Sequence, residues 1–442
     1  MPMPNNNLVE KNVPHTVMLG QTVFRSRSYD VILKTADRLH HVYAVGKTGT
    51  GKSTMFQNIA LQDILAGQGC CFVDPHGEAI DWLVARIPPH RLEDVVLFDP
   101  SDDAWPLGLN LLEAQSEAEK DFLVAEAIQI FYKLFDPGST GVVGPQFEHW
   151  MRNAALTVMA DPAGGTLIDI PRLFTDHEFE IKKRRHVTDK IVAAFWEQQM
   201  AKTSDFHRSE MLNYFTSKFG RFMTNSLMRN IIGQNHSAIN LSAIMDEGKI
   251  LLINLAKGKI GETNAHMLGL ILMAKMQAAT LRRASLNPAD RRPFYLFVDE
   301  FQNVMTDSFI SMLSEVRKYG LAVHVTHQYI EQLPDAMRAA VLGNAGTLIS
   351  FQVGAADAKA LLAEFEPVNQ RKPAELKDED FQYLPRHHFL IRLMLDGVTH
   401  PPFIGKSLQP LSVVSAVHPH IVRDFSRLTY GEPKQIVEHS FH

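Results

Sequence analysis

The run Gly46-Lys47-Thr48-Gly49-Thr50-Gly51-Lys52-Ser53, directly after the apolar stretch Val42-Tyr43-Ala44-Val45, restricts this chain more than any other feature. Its glycines let backbone N–H groups turn inward around a polyphosphate, Lys52 reaches the β and γ oxygens, and the Ser53 hydroxyl suits Mg²⁺. An apolar strand before the loop and a helix after it add the positive end of a helix dipole to the same point. The expected nucleotide-binding segment therefore comprises Gly46, Lys47, Thr48, Gly49, Thr50, Gly51, Lys52, Ser53 and Thr54, with ATP and Mg²⁺ as ligands.

Hydrolysis requires acidic groups opposite such a loop, and Phe294-Tyr295-Leu296-Phe297-Val298-Asp299-Glu300 supplies them. Five apolar residues ending in two carboxylates read as a buried parallel strand whose C-terminal end carries the charge, where open α/β sheets bind ligands. Asp299 is then expected to hold Mg²⁺ together with Ser53, and Glu300 to polarise the attacking water. Taken alone the run is a strand finishing in a charged turn; paired with the phosphate loop it gains a function.

Composition narrows the class. With 442 residues, 45% hydrophobic and 21% charged, the chain is an ordinary globular protein with room for a large α/β domain and an insertion. A net charge of -5 argues against coating DNA through bulk positive charge. The only two cysteines, Cys70-Cys71, are neighbours in an apolar run, with neither metal-ligand spacing nor a disulfide framework, as expected of buried strand residues in a reducing cytoplasm. The polar start, Met1 to Asn7, does not read as a signal peptide, and the longest apolar stretch, Met267 to Ala274, is far short of a membrane helix. The expected location is the cytoplasm, or the inner-membrane periphery through a partner protein.

Strand-like runs occur at Val42-Val45, Cys70-Val73, Val95-Phe98, Ile250-Asn254, Phe294-Val298, Ala322-Thr326, Thr347-Val353 and Phe389-Met394, separated mostly by helical segments. That alternation predicts a doubly wound, mostly parallel sheet. From Glu117 to about Gly233 helical spacing replaces strands, over Glu119-Phe135, Gln146-Met159, Asp189-Lys202 and Glu210-Thr224, with a turn cluster at Asp161-Pro162-Ala163-Gly164-Gly165. The expected division is an N-terminal extension (1–40), an ATPase domain (41–116 and 234–410), an all-α insertion (117–233) and a C-terminal tail (411–442) whose histidines face solvent.

Other motifs refine the site. Asp74-Pro75-His76-Gly77-Glu78 follows the second strand, either as a nucleotide-sensing turn or as one simply closed by Asp74 and Gly77. Val323-His324-Val325-Thr326-His327-Gln328 ends a strand in an amide that can donate to a γ-phosphate and accept from water. Glu315-Val316-Arg317-Lys318-Tyr319-Gly320 closes a helix just before it, where capping competes with a catalytic role for Arg317.

Together with LLINLAKGKIGE, LSEVRKYGL and GNAGTLISFQVGAADAKALLAEF, these segments make the chain resemble the FtsK/HerA superfamily of ring-forming DNA-pumping ATPases, most closely the TraG/TraD-type coupling proteins of conjugation and type IV secretion. The resemblance implies a RecA-like P-loop fold, a hexamer with nucleotide between subunits, and an arginine supplied by the neighbour, carried here onto Arg317. It also implies catalytic roles for Glu300 and Gln328, and DNA, a relaxase or a secretion channel as partners. Two departures stand out: coupling proteins usually begin with transmembrane helices, and the strand after GNAGT continues Phe351-Gln352-Val353-Gly354 where the pattern often has arginine at the second position.

The expected function is an ATP-hydrolysing DNA translocase of the coupling-protein kind. The alternatives are a HerA-like motor of a repair or defence system, and a nucleotide-gated docking platform for secretion substrates. DNA contact through pore-facing cations would follow the backbone rather than the bases. Lys257 and Lys259, in a glycine loop after a strand, are the first candidates, with Lys182-Lys183-Arg184-Arg185 next and the pairs Arg282-Arg283 and Arg291-Arg292 behind them.

Overall fold

The computed structural model of the chain describes residues 15–23, 27–138, 140–202, 205–365, 376–413 and 415–441. The polar start Met1 to Asn7, and with it the first 14 residues of the expected extension, lies outside the described residues, as do 366–375 of the expected ATPase domain.

An 11-stranded sheet organises the molecule, in the order β2-β1-β13-β10-β9-β3-β8-β7-β4-β6-β5. Its strands are β1 (Thr16–Thr22), β2 (Asp30–Lys34), β3 (Val42–Val45), β4 (Gly69–Asp74), β5 (Val95–Phe98), β6 (Ile250–Asn254), β7 (Phe294–Val298), β8 (Leu321–His327), β9 (Thr347–Ser350), β10 (His388–Arg392) and β13 (Phe403–Ser407). A separate hairpin, β11 (Met394–Leu395) with β12 (Val398–Thr399), lies between the last two. From β9 to β5 every pairing is parallel, whereas β10, β13, β1 and β2 extend the sheet antiparallel beyond β9. The parallel strands carry apolar side chains on both faces, as a sheet covered on both sides requires. Tyr43 and Val45 enter one core and Val42 and Ala44 the other.

Helix α1 (Lys52–Leu65) covers the second face. The first face carries α2 (Glu117–Phe135), α3 (Pro145–Met159), α4 (Asp205–Thr224) and α5 (Glu262–Arg282), and no strand occurs among the described residues between 117 and 232. Helix α5 holds the apolar stretch Met267 to Ala274. It is buried nearly all round between the sheet and α2, which explains an apolar run without amphipathic spacing. Among the described residues no helix is long and apolar enough to cross a membrane. Cys70 and Cys71 are free and buried in β4.

Both ends of the chain differ from the expected organisation. Within the expected N-terminal extension, Thr16–Thr22 and Asp30–Lys34 form β1 and β2 at the sheet edge: Gly20 pairs with Ser407 and Gln21 with Lys406. Their apolar residues alternate weakly and their partner lies at the far end of the sequence, a non-local pairing that periodicity does not reveal. The tail also packs. In α6 (Pro419–Tyr430) the Ser426 hydroxyl accepts from the Leu97 N–H of β5 at 2.8 Å, and Arg427 pairs with Asp102 at 2.8 Å. His418 and His420 remain exposed, as expected.

Just before β3, His41 is buried with two fixed partners: the Val323 N–H donates to Nδ1 at 3.1 Å, and Nε2 donates to the Leu313 carbonyl at 2.7 Å. A proton on Nδ1 would destroy the first bond, and burial, partly opposed by the bond to Leu313, brings the imidazole down from 6.5 to about 4. The unfolded chain therefore takes up the proton first. Stability from the neutral ring is fully present above about pH 6.5 and is lost as pH falls toward 4. Urea unfolding at stepped pH should show a loss of up to about 3 kcal/mol from this group, absent in His41→Gln.

Candidate functional site

Strand register brings the motifs to one edge. Val45 pairs with His327 across β3 and β8, and Val298 with Val325 across β7 and β8, so residues 46–53, 299–300 and 326–328 leave the sheet side by side. In the phosphate loop, Gly49 (φ 76°) and Gly51 (φ 121°) hold a backbone that side chains rarely adopt. A Cβ on Gly46 would lie 2.6 Å from Cβ of Phe351, so glycine there also lets the loop close onto the strand behind it. The Lys47 N–H donates to the Gln352 carbonyl at 2.8 Å, which gives the Phe351-Gln352 pair a supporting place under the loop.

Lys52 is buried, and its ammonium donates to the Gly46 carbonyl and, at 3.2 Å, to that of Lys47, folding over the loop mouth. Burial lowers its pKa, while Asp299 and Glu300 pull in the opposite direction. The Ser53 hydroxyl donates to Asp299 Oδ2 at 2.9 Å, and the Thr326 hydroxyl donates to Oδ1. Two hard oxygens meeting beside a phosphate loop are the donor set that Mg²⁺ takes, so these residues fit the ion. Lys47, Thr48 and Gly49 are exposed on the outer turn, and Thr54 is half-buried in the first turn of α1.

Glu300 is a non-glycine residue in the left-handed region (φ 49°, ψ 48°), a conformation that costs on the order of 1–3 kcal/mol and tends to persist at functional positions. Asp299 Oδ1 accepts the Glu300 N–H at 3.0 Å. Each carboxylate oxygen of Glu300 accepts from an amide: Oε1 from Gln328 Nε2 at 2.8 Å and Oε2 from Gln302 Nε2 at 2.9 Å. The structure thus brings together Lys52, Ser53, Asp299, Glu300 and Gln328. Behind them His327 is driven down to about 3 by burial and then by the Lys52 charge, so it is neutral.

Arg317 is not among them. Its guanidinium bonds His40 Nδ1 at 2.7 Å, just ahead of β3, so it lies at the opposite edge of the sheet. Four residues of β3 separate that level from the phosphate loop, roughly 13 Å at about 3.3 Å per residue, beyond its reach within one chain. It lines an exposed cleft of about 400 Å³ with His40, Arg392 and Asn344.

The remaining candidates divide. Asp74 accepts the N–H groups of His76 and Ala79, each at 2.8 Å, so it closes its own turn, while His76 and Glu78 stay exposed at the same edge. A Cβ on Gly77 would lie 2.4 Å from Asn254 Oδ1, so the turn reading accounts for both Asp74 and Gly77. Lys257 is paired with Glu262 at 2.6 Å, and Lys259 is exposed near Ser101. The run 182–185 is split: Lys183 is buried and clamps the 161–165 turn through Asp161 at 2.8 Å, Arg184 pairs with Glu180 at 3.0 Å, and Lys182 and Arg185 remain exposed. Arg282 and Arg283 are engaged by Glu119 and Asp246, and Arg291 and Arg292 by backbone carbonyls.

Several site residues escape sequence reasoning. Thr326 lies inside a quoted motif but has no signature of its own. Gln302 follows the acidic pair without any spacing rule that marks it. Arg386 and His387, from the far end of the chain, cover the phosphate loop: Arg386 Nε donates to the Gly49 carbonyl at 3.3 Å and the His387 N–H to that of Thr50 at 3.0 Å. Their only signal is a basic cluster, Arg386-His387-His388, before a strand.

Known proteins share one segment of the sequence and the fold. Residues 293–364 match a family model described as the TraM recognition site of TraD and TraG. No curated protein sequence matches. Among solved structures, the plasmid coupling protein TrwB in complex with ADP and Mg²⁺ superposes with a TM-score of 0.60 at 15% identity, covering 90% of this chain and 98% of that one. TrwB with the ATP analogue ADPNP gives 0.58 at 14% identity, with coverages of 93% and 98%. VirB4 of Thermoanaerobacter pseudethanolicus gives 0.59 at 14% identity, with coverages of 89% and 96%. The mixed α/β fold with its mostly parallel sheet is therefore that of the RecA-like P-loop ATPases, and residues 293–364 are similar to the segment of TraD and TraG that the family model describes.

Proposed function

We propose that this chain is an ATP-hydrolysing DNA translocase acting as a coupling protein in conjugative transfer or type IV secretion. The observation that carries the reading is the meeting, at one sheet edge, of the Lys52 loop, the Ser53–Asp299 oxygen pair and a Glu300 carboxylate held by amides. TrwB is known in complex with ADP and Mg²⁺ and with an ATP analogue, which supports the same ligands here. Mg²⁺, when bound, neutralises phosphate charge and orients the phosphoryl oxygens.

The chain's own groups then divide the work. The backbone N–H groups from Gly49 to Ser53 and the Lys52 ammonium bind the phosphates in place of the loop carbonyls that Lys52 now contacts. Ser53 and Asp299 are placed as ligand groups. Glu300 orients water and takes its proton, and Gln328, half-buried between Glu300 and the loop mouth, is placed to exchange its carboxylate partner for a γ-phosphate oxygen. Because Arg317 faces away from its own loop, it would complete the site of a neighbouring subunit. That supports a ring, a hexamer in the coupling-protein pattern, with the helices of 117–233 as an inserted domain.

For DNA, Lys259 and the partly exposed Lys257 remain the assigned contacts, with a relaxase or channel component as the protein partner. The test is ATPase activity of the assembled protein with and without single- and double-stranded DNA. Stimulation is expected. Lys257→Ala/Lys259→Ala should weaken DNA binding and reduce the salt slope by about one per lost phosphate contact. Rings that hydrolyse ATP but neither bind DNA nor respond to it would favour a docking platform.

A further inference from the structure

Gln302 has a geometry that the nucleotide site alone does not explain. Its Nε2 donates to Glu300 Oε2 at 2.9 Å, and its Oε1 is buried with no partner among the described residues. The amide cannot turn over to relieve that, because its oxygen would then face a carboxylate. Glu300 is therefore gripped from two sides, by Gln328 just after β8 and by Gln302 on its own segment.

That segment is tied to the helical layer. Phe301, Val304, Met305 and Phe309 are fully buried. A Cβ on Gly269 of α5 would lie 2.5 Å from Val304, so glycine there permits the close approach. From α2, Glu126 accepts the Thr306 hydroxyl at 3.0 Å and that of Ser308, while Lys133 donates to the Met305 carbonyl. Glu126 is buried and Lys133 half-buried: burial pushes Glu126 up and brings Lys133 down to about 8. Gln302 itself borders a cleft of about 630 Å³ between α2 and this segment, with Gln129, Asp307 and Gln332.

We propose that Gln302 is a positioning residue for Glu300, and that α2, through Glu126 and Lys133, holds the segment that carries it. The helical layer thereby sets the geometry of water attack. The inference rests on Glu300 being the catalytic base.

The experiment is steady-state ATP hydrolysis and nucleotide binding by the assembled full chain carrying Gln302→Met, Gln302→Glu or Gln302→Lys. Methionine keeps the length without a donor, glutamate keeps the shape without a donor, and lysine restores a donor. The first two should lower kcat by about 10- to 100-fold with KM for ATP within twofold, and lysine should recover most of the loss. A packing role would be served by methionine as well as by lysine. Glu126→Ala should also lower kcat, with Lys133→Met as a second probe of the same link. The double variant Glu126→Ala/Gln302→Met should be no worse than Gln302→Met alone. Parental kcat in Gln302→Met, a Gln302→Lys chain as slow as it, or multiplying effects in the double variant would overturn the proposal. Glu300→Gln measured alongside separates the two readings: if it hydrolyses at the parental rate, the base assignment itself fails, whereas an inactive Glu300→Gln beside a fully active Gln302→Met sinks only the positioning role.

Discussion

Glu300→Gln is expected to bind ATP with near-parental affinity while hydrolysing it at least about 100-fold more slowly, so that the protein accumulates with ATP bound. The substitution keeps the side-chain shape but removes the charge that takes the water proton; the Lys52, Ser53 and Asp299 contacts to the ground state are untouched. Lys52→Ala should behave in the opposite manner, losing binding itself, because its buried ammonium meets the phosphates before and during reaction. Filter binding and single-turnover hydrolysis separate the two. A parental hydrolysis rate in Glu300→Gln would remove the base from the mechanism.

The second large effect is expected in mixtures. Arg317→Ala rings and Lys52→Ala rings should each be nearly inactive, by on the order of 10³-fold, since an arginine supplied in trans carries an effect of that size. Mixed rings should regain activity, because a Lys52 site from one chain can meet an intact Arg317 from its neighbour. Arg317 is well placed for this: exposed, engaged with His40 at 2.7 Å among the described residues, and on the sheet edge opposite the loop. Specific activity of the parental chain should also rise with protein concentration as subunits associate. Stable mixed rings without recovery would reassign Arg317 to closing the helix before β8.

Local chemistry explains what was legible in the sequence. The phosphate loop, the acidic strand end and the glutamine just after β8 are contiguous motifs whose residue types are dictated by phosphate and water, and the structure places them together. The parallel strands were readable because burial on both faces makes each an apolar run. Residues whose partners are distant were not. β1 and β2 contain polar positions and join the sheet through β13; Arg386 and His387 reach the phosphate loop from more than 300 residues away. The charge runs misled for a related reason: a sequence shows that Lys183 and Arg184 are cationic, but not that Asp161 and Glu180 already hold them.

The pairing of β1 with β13 has a kinetic consequence. Gly20 has Ser407 as its partner, so β1 and β2 can pack on helix α1 early but cannot join the rest of the sheet until roughly 390 further residues have been made. At about 5–20 residues per second that is a wait of roughly 20–80 s, during which the edge of β1 that faces β13 has no strand to pair with. Helices α2 and α3 also pack on each other at short range and can begin to form early, whereas closure of the sheet is the last event and the slowest to search for. A chain interrupted before residue 407 would keep its phosphate loop and acidic strand yet expose an open sheet edge, the surface through which incomplete molecules associate with one another.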